Sequence, residues 1–588
     1  MLVASRRLGH SERSGVGSAD LRLFIQTVHS MKRFSILLAL TFVCGSWLAP
    51  TGRAATSEKP NVVVILVDDM GFSDLGCYGS EIPTPNIDAL AEHGVRFTQF
   101  YNTARCSPTR ASLMTGVYPH QAGMGHLDNI VHEGSKGTTG RLRDDVVTMA
   151  EVLHDDGYLT CMTGKWHMGQ QHGTPPWKRG FDRSLNSPSG GIYFRKQPYR
   201  SEVFLNGEKK MKDDPIFGQK WYSTDLWTDW GMKFIDEARE EKKPFFLYLA
   251  YCAPHFPLMA PADEIAKYRG KYKQSWEKLR EARHQRQIEM GIVDEKWPMS
   301  PIPEQVPNWD QLSDEEKDRF DHQMAIYAAM LDRVDQNVGK LVAGLKERGE
   351  LDNTIIFFMS DNGGNAESGP RGIYEGKNPG GANSRVFLGQ SWATLNNTPF
   401  RRYKHFTHEG GISTPLIVSW PDGIPTDRDG KLVKEPGHLV DVMATVVGVT
   451  GAKYPTEFNG HKIQPMEGVS LIPAIDGEKL ERKNPIYFEH EGNRALRLGK
   501  WKLVMKHKGP WELYDIDADR TEQHDVIAEQ PELAKELIAD WEAWAKRADV
   551  GPWPGKARQE WGDEKGPGKK AEQKARQQKA RQQKAAAT

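Results

Sequence analysis

Four apolar, β-branched runs, each closing on polar residues, constrain this chain more than any other feature. Asn61-Val62-Val63-Val64-Ile65-Leu66-Val67 stops at Asp68-Asp69, and Thr354-Ile355-Ile356-Phe357-Phe358-Met359 stops just before Asp361-Asn362. A third run, residues 244–251, leads to Ala253-Pro254-His255, and residues 415–420 form a fourth. Runs without polar alternation are the pattern of strands covered on both faces. Helical patterns fall between them, over residues 146–155 and 313–348, the second capped by Ser313 or Asp314. This interleaving predicts an α/β fold with a large mixed, mostly parallel sheet flanked by helices. Ligands of such sheets gather at the carboxyl ends of strands, where the polar residues stand here.

At 588 residues the chain exceeds one ordinary core, and two structural units are expected. The 78 basic and 78 acidic residues cancel, so no global field favours nucleic acid or a membrane surface. Any preference for an anion must come from a local cluster. Met31-Lys32-Arg33, the apolar stretch after it and the small residues before Ala55 read as a secretory signal with Met31 as the start, too short in its apolar part to span a membrane. The expectation is a periplasmic or secreted protein with no membrane span once the signal is removed. Residues 1–55 are then a leader, 56–484 the main domain, 485–553 a smaller antiparallel sheet with a terminal helix, and 554–588 a basic low-complexity tail. Residues 268–308 read as an insertion over one end of the sheet or as a solvated helix. Of the five cysteines, Cys77, Cys161 and Cys252 allow one disulfide at most, in an unspecified pairing.

Two constellations carry chemistry. Asp68, Asp69, Asp361 and Asn362 form a hard oxygen set suited to Ca²⁺, with Mg²⁺ second, although each aspartate alone could instead cap a helix. Lys165 and His167 in Gly164-Lys165-Trp166-His167, His255, Lys404 and Arg110 all stand in segments rich in Gly or Pro. Singly they read as solvated surface groups; interleaved with the acids they make a pocket for a tetrahedral anion.

Arg110 closes the pentapeptide Cys106-Ser107-Pro108-Thr109-Arg110, followed by Ala111-Ser112-Leu113-Met114-Thr115-Gly116. It matches Cys-x-Pro-x-Arg, the sequence at which sulfatases have one cysteine oxidised to Cα-formylglycine; otherwise Cys106 reads as a buried thiol. From about Asn61 to Val526 the chain resembles the type I, formylglycine-dependent sulfatases of the alkaline phosphatase superfamily. Tyr268-Arg269-Gly270-Lys271-Tyr272 and Tyr403-Lys404-His405-Phe406-Thr407-His408-Glu409-Gly410-Gly411 are similar to the arylsulfatase branch.

The resemblance implies that Asp68, Asp69, Asp361, Asn362 and residue 106 hold one Ca²⁺. It implies that Arg110 and Lys165 support residue 106, and that Lys165, His255 and Lys404 bind the sulfate. Asp361 would activate the gem-diol nucleophile, His255 with Lys404 would protonate the leaving alcohol, and His167 would deprotonate the second hydroxyl to release sulfate. The implied partners are a sulfated small molecule or glycan and a formylglycine-generating or sulfatase-maturating enzyme. Two alternatives stand beside this one: a phosphonate monoester or phosphodiester hydrolase using the same nucleophile, and a non-catalytic binder of sulfated glycans. Tyr193, Phe194 and Trp392 either line an outer pocket or pack loops.

Overall fold

The computed structural model describes residues 59–197 and 202–554; the leader and the tail beyond Pro554 lie outside them. At the centre of the main sheet, Asn61–Val67 runs parallel to both neighbours, Phe245–Ala250 and Thr354–Ser360. The strand order is Lys431–Val433, Gly94–Tyr101, Ser413–Ser419, Thr354–Ser360, Asn61–Val67, Phe245–Ala250, Leu159–Lys165, Arg183–Ser187, Glu202–Leu205 and Glu208–Met211. Every residue of Asn61–Val67 is buried. Val63, Ile65 and Val67 belong to the apolar layer on one face of the sheet and Val62, Val64 and Leu66 to the layer on the other. That is why the run shows no polar alternation.

The fourth run departs from its three companions. Ser413–Ser419 is antiparallel to both neighbours, so the sheet is mixed. The reversal matters: this strand begins at the edge where the parallel strands end. The segment preceding Ser413 is thereby delivered to the same edge as Asp68, Asp361 and Lys165. Gly94–Tyr101 ends there too, and the helix Cys106–Thr115 starts a few residues later.

The longest helix, Asp314–Glu347, begins with a capping box between Ser313 and Glu316, and Met149–Asp155 uses Thr148 and Glu151 in the same way. The insertion carries the helix Trp276–Glu289, which is not a solvated element. Trp276, Leu279, Arg280 and Arg283 are buried, and Arg283 pairs with Asp74 and Glu81 at 2.8 Å each. Trp392 stands within an aromatic cluster with Trp276, Trp309 and Phe320, so its role is packing. Cys77, Cys106, Cys161 and Cys252 are buried and free, leaving no disulfide among the described residues. No helix among the described residues is long and apolar enough to cross a membrane.

A four-stranded antiparallel sheet follows, in the order Ile486–His490, Asn493–Leu498, Trp501–Met505, Trp511–Asp515. The helix Pro531–Arg547 lays Trp541 and Trp544 on one face, with Trp544 stacked on Tyr487 at 4.9 Å. The other face meets Tyr101 of the main sheet and Ile412, which ends the short helix Glu409–Ile412. Between them, fully buried Lys502 lies 2.7 Å from both Glu409 and Glu522, and Arg520 lies 3.0 Å from Glu409. Although burial opposes it, Lys502 and Arg520 hold the Glu409 carboxyl down to about 2.

Removing this cation leaves Glu522 with only the more distant Arg401 at 3.7 Å and Glu409 with Arg520 alone, and breaking such a buried pair typically costs about 3–5 kcal/mol. Lys502→Met is therefore expected to lower the unfolding midpoint in urea substantially. A midpoint equal to wild type would show that the network is dispensable for stability.

Candidate active site

The site assembles at the carboxyl edge of the central strands. Asp68 and Asp69 follow Asn61–Val67, Asp361 and Asn362 follow Thr354–Ser360, and Lys165 ends Leu159–Lys165. Lys165 is preceded by Gly164 at φ +105°, where a Cβ would stand 1.9 Å from the Ala250 carbonyl oxygen. Only glycine lets the two strands approach there. Asp69 (φ 69°), Ala104 (φ 60°), His167 (φ 58°) and His405 (φ 85°) all hold left-handed backbone, a concentration of strain typical of functional sites.

Each buried carboxylate leans on one cation. Lys165 Nζ donates to Asp68 Oδ2 at 2.7 Å, Lys404 Nζ to Asp69 Oδ1 at 2.6 Å, and Arg110 Nη2 to Asp361 Oδ2 at 2.7 Å. Asn362 Nδ2 also donates to Asp69 Oδ1, at 2.7 Å, and Asn365 Nδ2 to Asp69 Oδ2 at 2.6 Å. Two oxygens are left over. Asp68 Oδ1 and Asn362 Oδ1 are buried without a hydrogen-bond partner. Unpaired buried acceptors are costly, and a hard cation satisfies both while suiting a set of three carboxylates and an amide. The donor chemistry therefore fits a divalent metal held by Asp68, Asp69, Asp361 and Asn362.

The electrostatics point the same way. Burial opposes the charge on every acid, yet Lys165, His255 and Arg110 keep Asp68 well below the usual carboxylate range, and Lys404 and His255 keep Asp69 low. Asp361 goes the other way, pushed well up by burial and by Asp68 alongside. The three protein cations match the three acids in number, yet Asp361, crowded by Asp68, still favours its neutral form.

Cys106 opens the helix Cys106–Thr115, so its side chain stands at the positive end of the helix dipole. Its Sγ is 3.4 Å from His167 Nδ1, while His167 Nε2 is 3.6 Å from Asp128 Oδ1. Burial and Lys165 drive His167 well below its ordinary value, leaving it neutral. His255 Nδ1 donates to the Phe256 carbonyl at 2.6 Å, so Nε2, 3.5 Å from Asp69 Oδ2, is the nitrogen left to take or give a proton. Burial pulls His255 down to about 4. Tyr193 is a buried strut whose hydroxyl donates toward the carbonyls of Cys252 and His255.

Contacts bring Cys106, Arg110, Lys165, His167, His255, Lys404, Asp68, Asp69, Asp361 and Asn362 together here, whereas Trp392 packs elsewhere. Sequence reasoning missed Arg105, Asp128, Asn365 and Glu367. Arg105 Nη1 lies 3.2 Å from Glu367 Oε1, and Asn365 Nδ2 lies 3.1 Å from Glu367 Oε2. Burial opposes its charge, but Arg105, Lys404 and His405 keep Glu367 well below the usual range. For Arg105 the available signal was its place beside Cys106, and for Asn365 and Glu367 their place shortly after Asp361; Asp128 had no such signal.

A parallel-centred α/β sheet whose carboxyl edge gathers acids, cations and a helix-start cysteine defines a hydrolase site for a tetrahedral anion. The chain belongs to the sulfatase family, whose profile matches residues 60–452; a second profile, N-sulphoglucosamine sulphohydrolase C-terminal, matches residues 401–544. It is 35% identical over 531 residues to an uncharacterized sulfatase of Schizosaccharomyces pombe, covering 83% of this chain and 94% of that one. It is 34% identical over 448 residues to the arylsulfatase of Klebsiella aerogenes, covering 72% and 94%. Among solved structures, Ps i-CgsB superposes with a TM-score of 0.63 at 30% identity, covering 84% of this chain and 94% of that one. The protein is a sulfatase of the alkaline phosphatase-like fold.

The two orphaned oxygens generate a test. Adding Ca²⁺ or Mg²⁺ to metal-stripped protein is expected to raise its melting temperature with the logarithm of ligand excess over Kd, and Asp68→Asn to shrink that shift. An unchanged melting temperature at millimolar cation would show that these oxygens do not bind metal.

Proposed function

We propose that the pocket hydrolyses a sulfuric ester of an alcohol, aryl or carbohydrate, using residue 106 as formylglycine and one Ca²⁺. The observation that carries this reading is the placement of Cys106 at a helix start, beside His167 and within a ring of three carboxylates and three cations. Ca²⁺ is favoured over Mg²⁺ because Mg²⁺ usually keeps several waters and takes one or two carboxylates. When bound it supplies Lewis-acid polarisation. Formylglycine, when hydrated, supplies an oxygen nucleophile and a second hydroxyl that thiol chemistry cannot provide.

The side chains do the rest. Asp68, Asp69, Asp361 and Asn362 would hold the metal, and Arg110, one helical turn after residue 106, anchors Asp361. Arg110, Lys165 and Lys404 neutralise the three acids, so a divalent cation leaves the cavity net positive and selective for an anion. Lys165, His255 and Lys404 bind the sulfate. His255 Nε2 faces the ester oxygen; a sulfate anion beside it offsets the burial that pulls it to about 4, so the ring gains a proton on binding and gives it to the leaving alcohol. Neutral His167 takes the proton of the second hydroxyl through Nδ1, and Asp128 faces its other nitrogen.

Maturation needs a partner. All ten residues of Cys106–Thr115 are buried, so an enzyme reading Cys-x-Pro-x-Arg acts on the chain before this helix packs. The export reading rests on residues 31–55. The solved relative Ps i-CgsB, also determined in complex with k-i-k-neocarrahexaose, supports a carbohydrate as one substrate class.

The decisive experiment joins a mass with an activity. The peptide carrying residue 106, from protein made with a maturation enzyme, is expected to show aldehyde in place of thiol, and that protein to release inorganic sulfate. Cys106→Ala should lose more than about 1,000-fold in kcat with an unchanged melting temperature. Full activity with an unmodified thiol would overturn the reading.

A further inference from the structure

One buried carboxylate beside the pocket stands apart from the metal-type acids. Asp68, Asp69 and Asp361 each have a lysine or an arginine against them. Asp128, only 3% exposed, has neither among the described residues. Its Oδ1 lies 3.6 Å from His167 Nε2, and its Oδ2 accepts from the Gly169 backbone N–H at 3.3 Å. Burying a carboxylate without a cation is unfavourable, and the His167 ring becomes a cation only when it takes a proton.

The ring is held by its own backbone. His167 keeps left-handed backbone at φ 58°, its N–H donates to the Pro188 carbonyl at 2.8 Å, and its carbonyl accepts from Ser107 Oγ at 2.7 Å. Ser107 adjoins Cys106, so the position of the ring is tied to the helix that carries the nucleophile. Nδ1 thereby stands 3.4 Å from Cys106 Sγ. That sulfur stands in for a hydroxyl oxygen on the same Cβ once residue 106 is hydrated formylglycine. The ring thus has residue 106 at one nitrogen and Asp128 at the other.

A neutral imidazole carries one proton on one of two nitrogens, and its partners decide which. An ionised carboxylate only accepts, so Asp128 favours the proton on Nε2 and leaves the Nδ1 lone pair toward residue 106. We propose that Asp128 is a positioning residue for sulfate release, holding His167 in the one tautomer able to take a proton from residue 106. This inference rests on the sulfatase chemistry proposed above. In that step a hydroxyl on Cβ of residue 106 gives its proton to Nδ1, and the O–H electron pair becomes the second bond of the aldehyde carbonyl. The bond from Cβ to the sulfate oxygen breaks, its pair leaving on inorganic sulfate. The ring then bears a positive charge beside Asp128, and the contact shortens as charge develops. The competing account is structural, with Asp128 only bracing the turn at Gly169.

The two accounts part at Asp128→Asn. The Gly169 N–H needs an acceptor, so the amide oxygen turns to it and the amide NH₂ faces Nε2. The ring proton is then forced onto Nδ1, against residue 106, whereas Asp128→Ala leaves the tautomer free. Nitrogen NMR on full-length, unconverted protein with labelled histidine reads this directly, the His167 signals being assigned by their loss in His167→Gln. The proton should sit on Nε2 in wild type and on Nδ1 in Asp128→Asn. In formylglycine-bearing enzyme, verified by peptide mass, with 4-nitrophenyl sulfate, Asp128→Asn should lower kcat by about 100-fold or more and Asp128→Ala by about tenfold. Because release follows ester cleavage, kcat/KM should change less than about threefold and nitrophenol should appear in a burst. A wild-type proton on Nδ1, an unmoved proton in Asp128→Asn, or equal falls in kcat and kcat/KM would each overturn the proposal. So would Asp128→Asn no slower than Asp128→Ala, as bracing alone predicts. Wild type that carries the aldehyde yet hydrolyses no sulfate ester, aryl or sugar, would instead bring down the sulfatase chemistry on which it rests.

Discussion

Three carboxylates packed at the ends of two adjacent strands are the constraint around which this molecule is arranged. Asp68, Asp69 and Asp361 are each at most 2% exposed. Isolated, such charges could not be buried. The fold answers by delivering one cation to each from three separate parts of the chain: Lys165 from a strand end, Arg110 from a helix and Lys404 from a loop. Remove any one element and an acid loses its partner. The topology of the central sheet is thus tied to the electrostatics of its edge.

Lys404 shows how far that dependence reaches. Its loop has no regular structure to hold it, and it owes its place to packing on both sides. A Cβ on Gly363 would stand 1.9 Å from the Gly410 carbonyl oxygen, so the loop after Asp361 and the segment before Ser413 touch backbone to backbone. On the other side, Glu409 is gripped by Lys502 and Arg520 from the C-terminal sheet region. The small sheet therefore does more than cover apolar surface. It clamps the loop that neutralises Asp69, and through His405 and Glu491 it reaches the rim of the pocket.

Much of this was written in local pattern and some was not. Apolar runs announced the four main strands, because covering both faces removes polar alternation. Direction was invisible in Ser413–Ser419, since periodicity is the same whichever way a strand runs, and only pairing partners fix it. The acids were legible because they interrupt apolar runs at strand ends. Arg105 and Glu367 were not: they are 262 residues apart, and each alone looks like an ordinary surface charge. Lys502 escaped for a related reason. A lysine in a short antiparallel strand reads as solvent-facing until two glutamates from other segments are placed against it.

The side chains at this edge divide into a dry set and a wetter rim. Groups that meet the anion are locked by mutual ion pairs, and changing any of them disturbs the charge balance of the whole edge. Arg105 and Glu367 pair mainly with each other and with His405 at the rim. Their exchange leaves the three acid–cation pairs beneath them formally intact. Two contacts nonetheless tie this rim to the acids below: Lys404 lies 4.0 Å from Glu367, and Asn365 donates to both Asp69 and Glu367, so the rim is coupled to the charge balance of the edge.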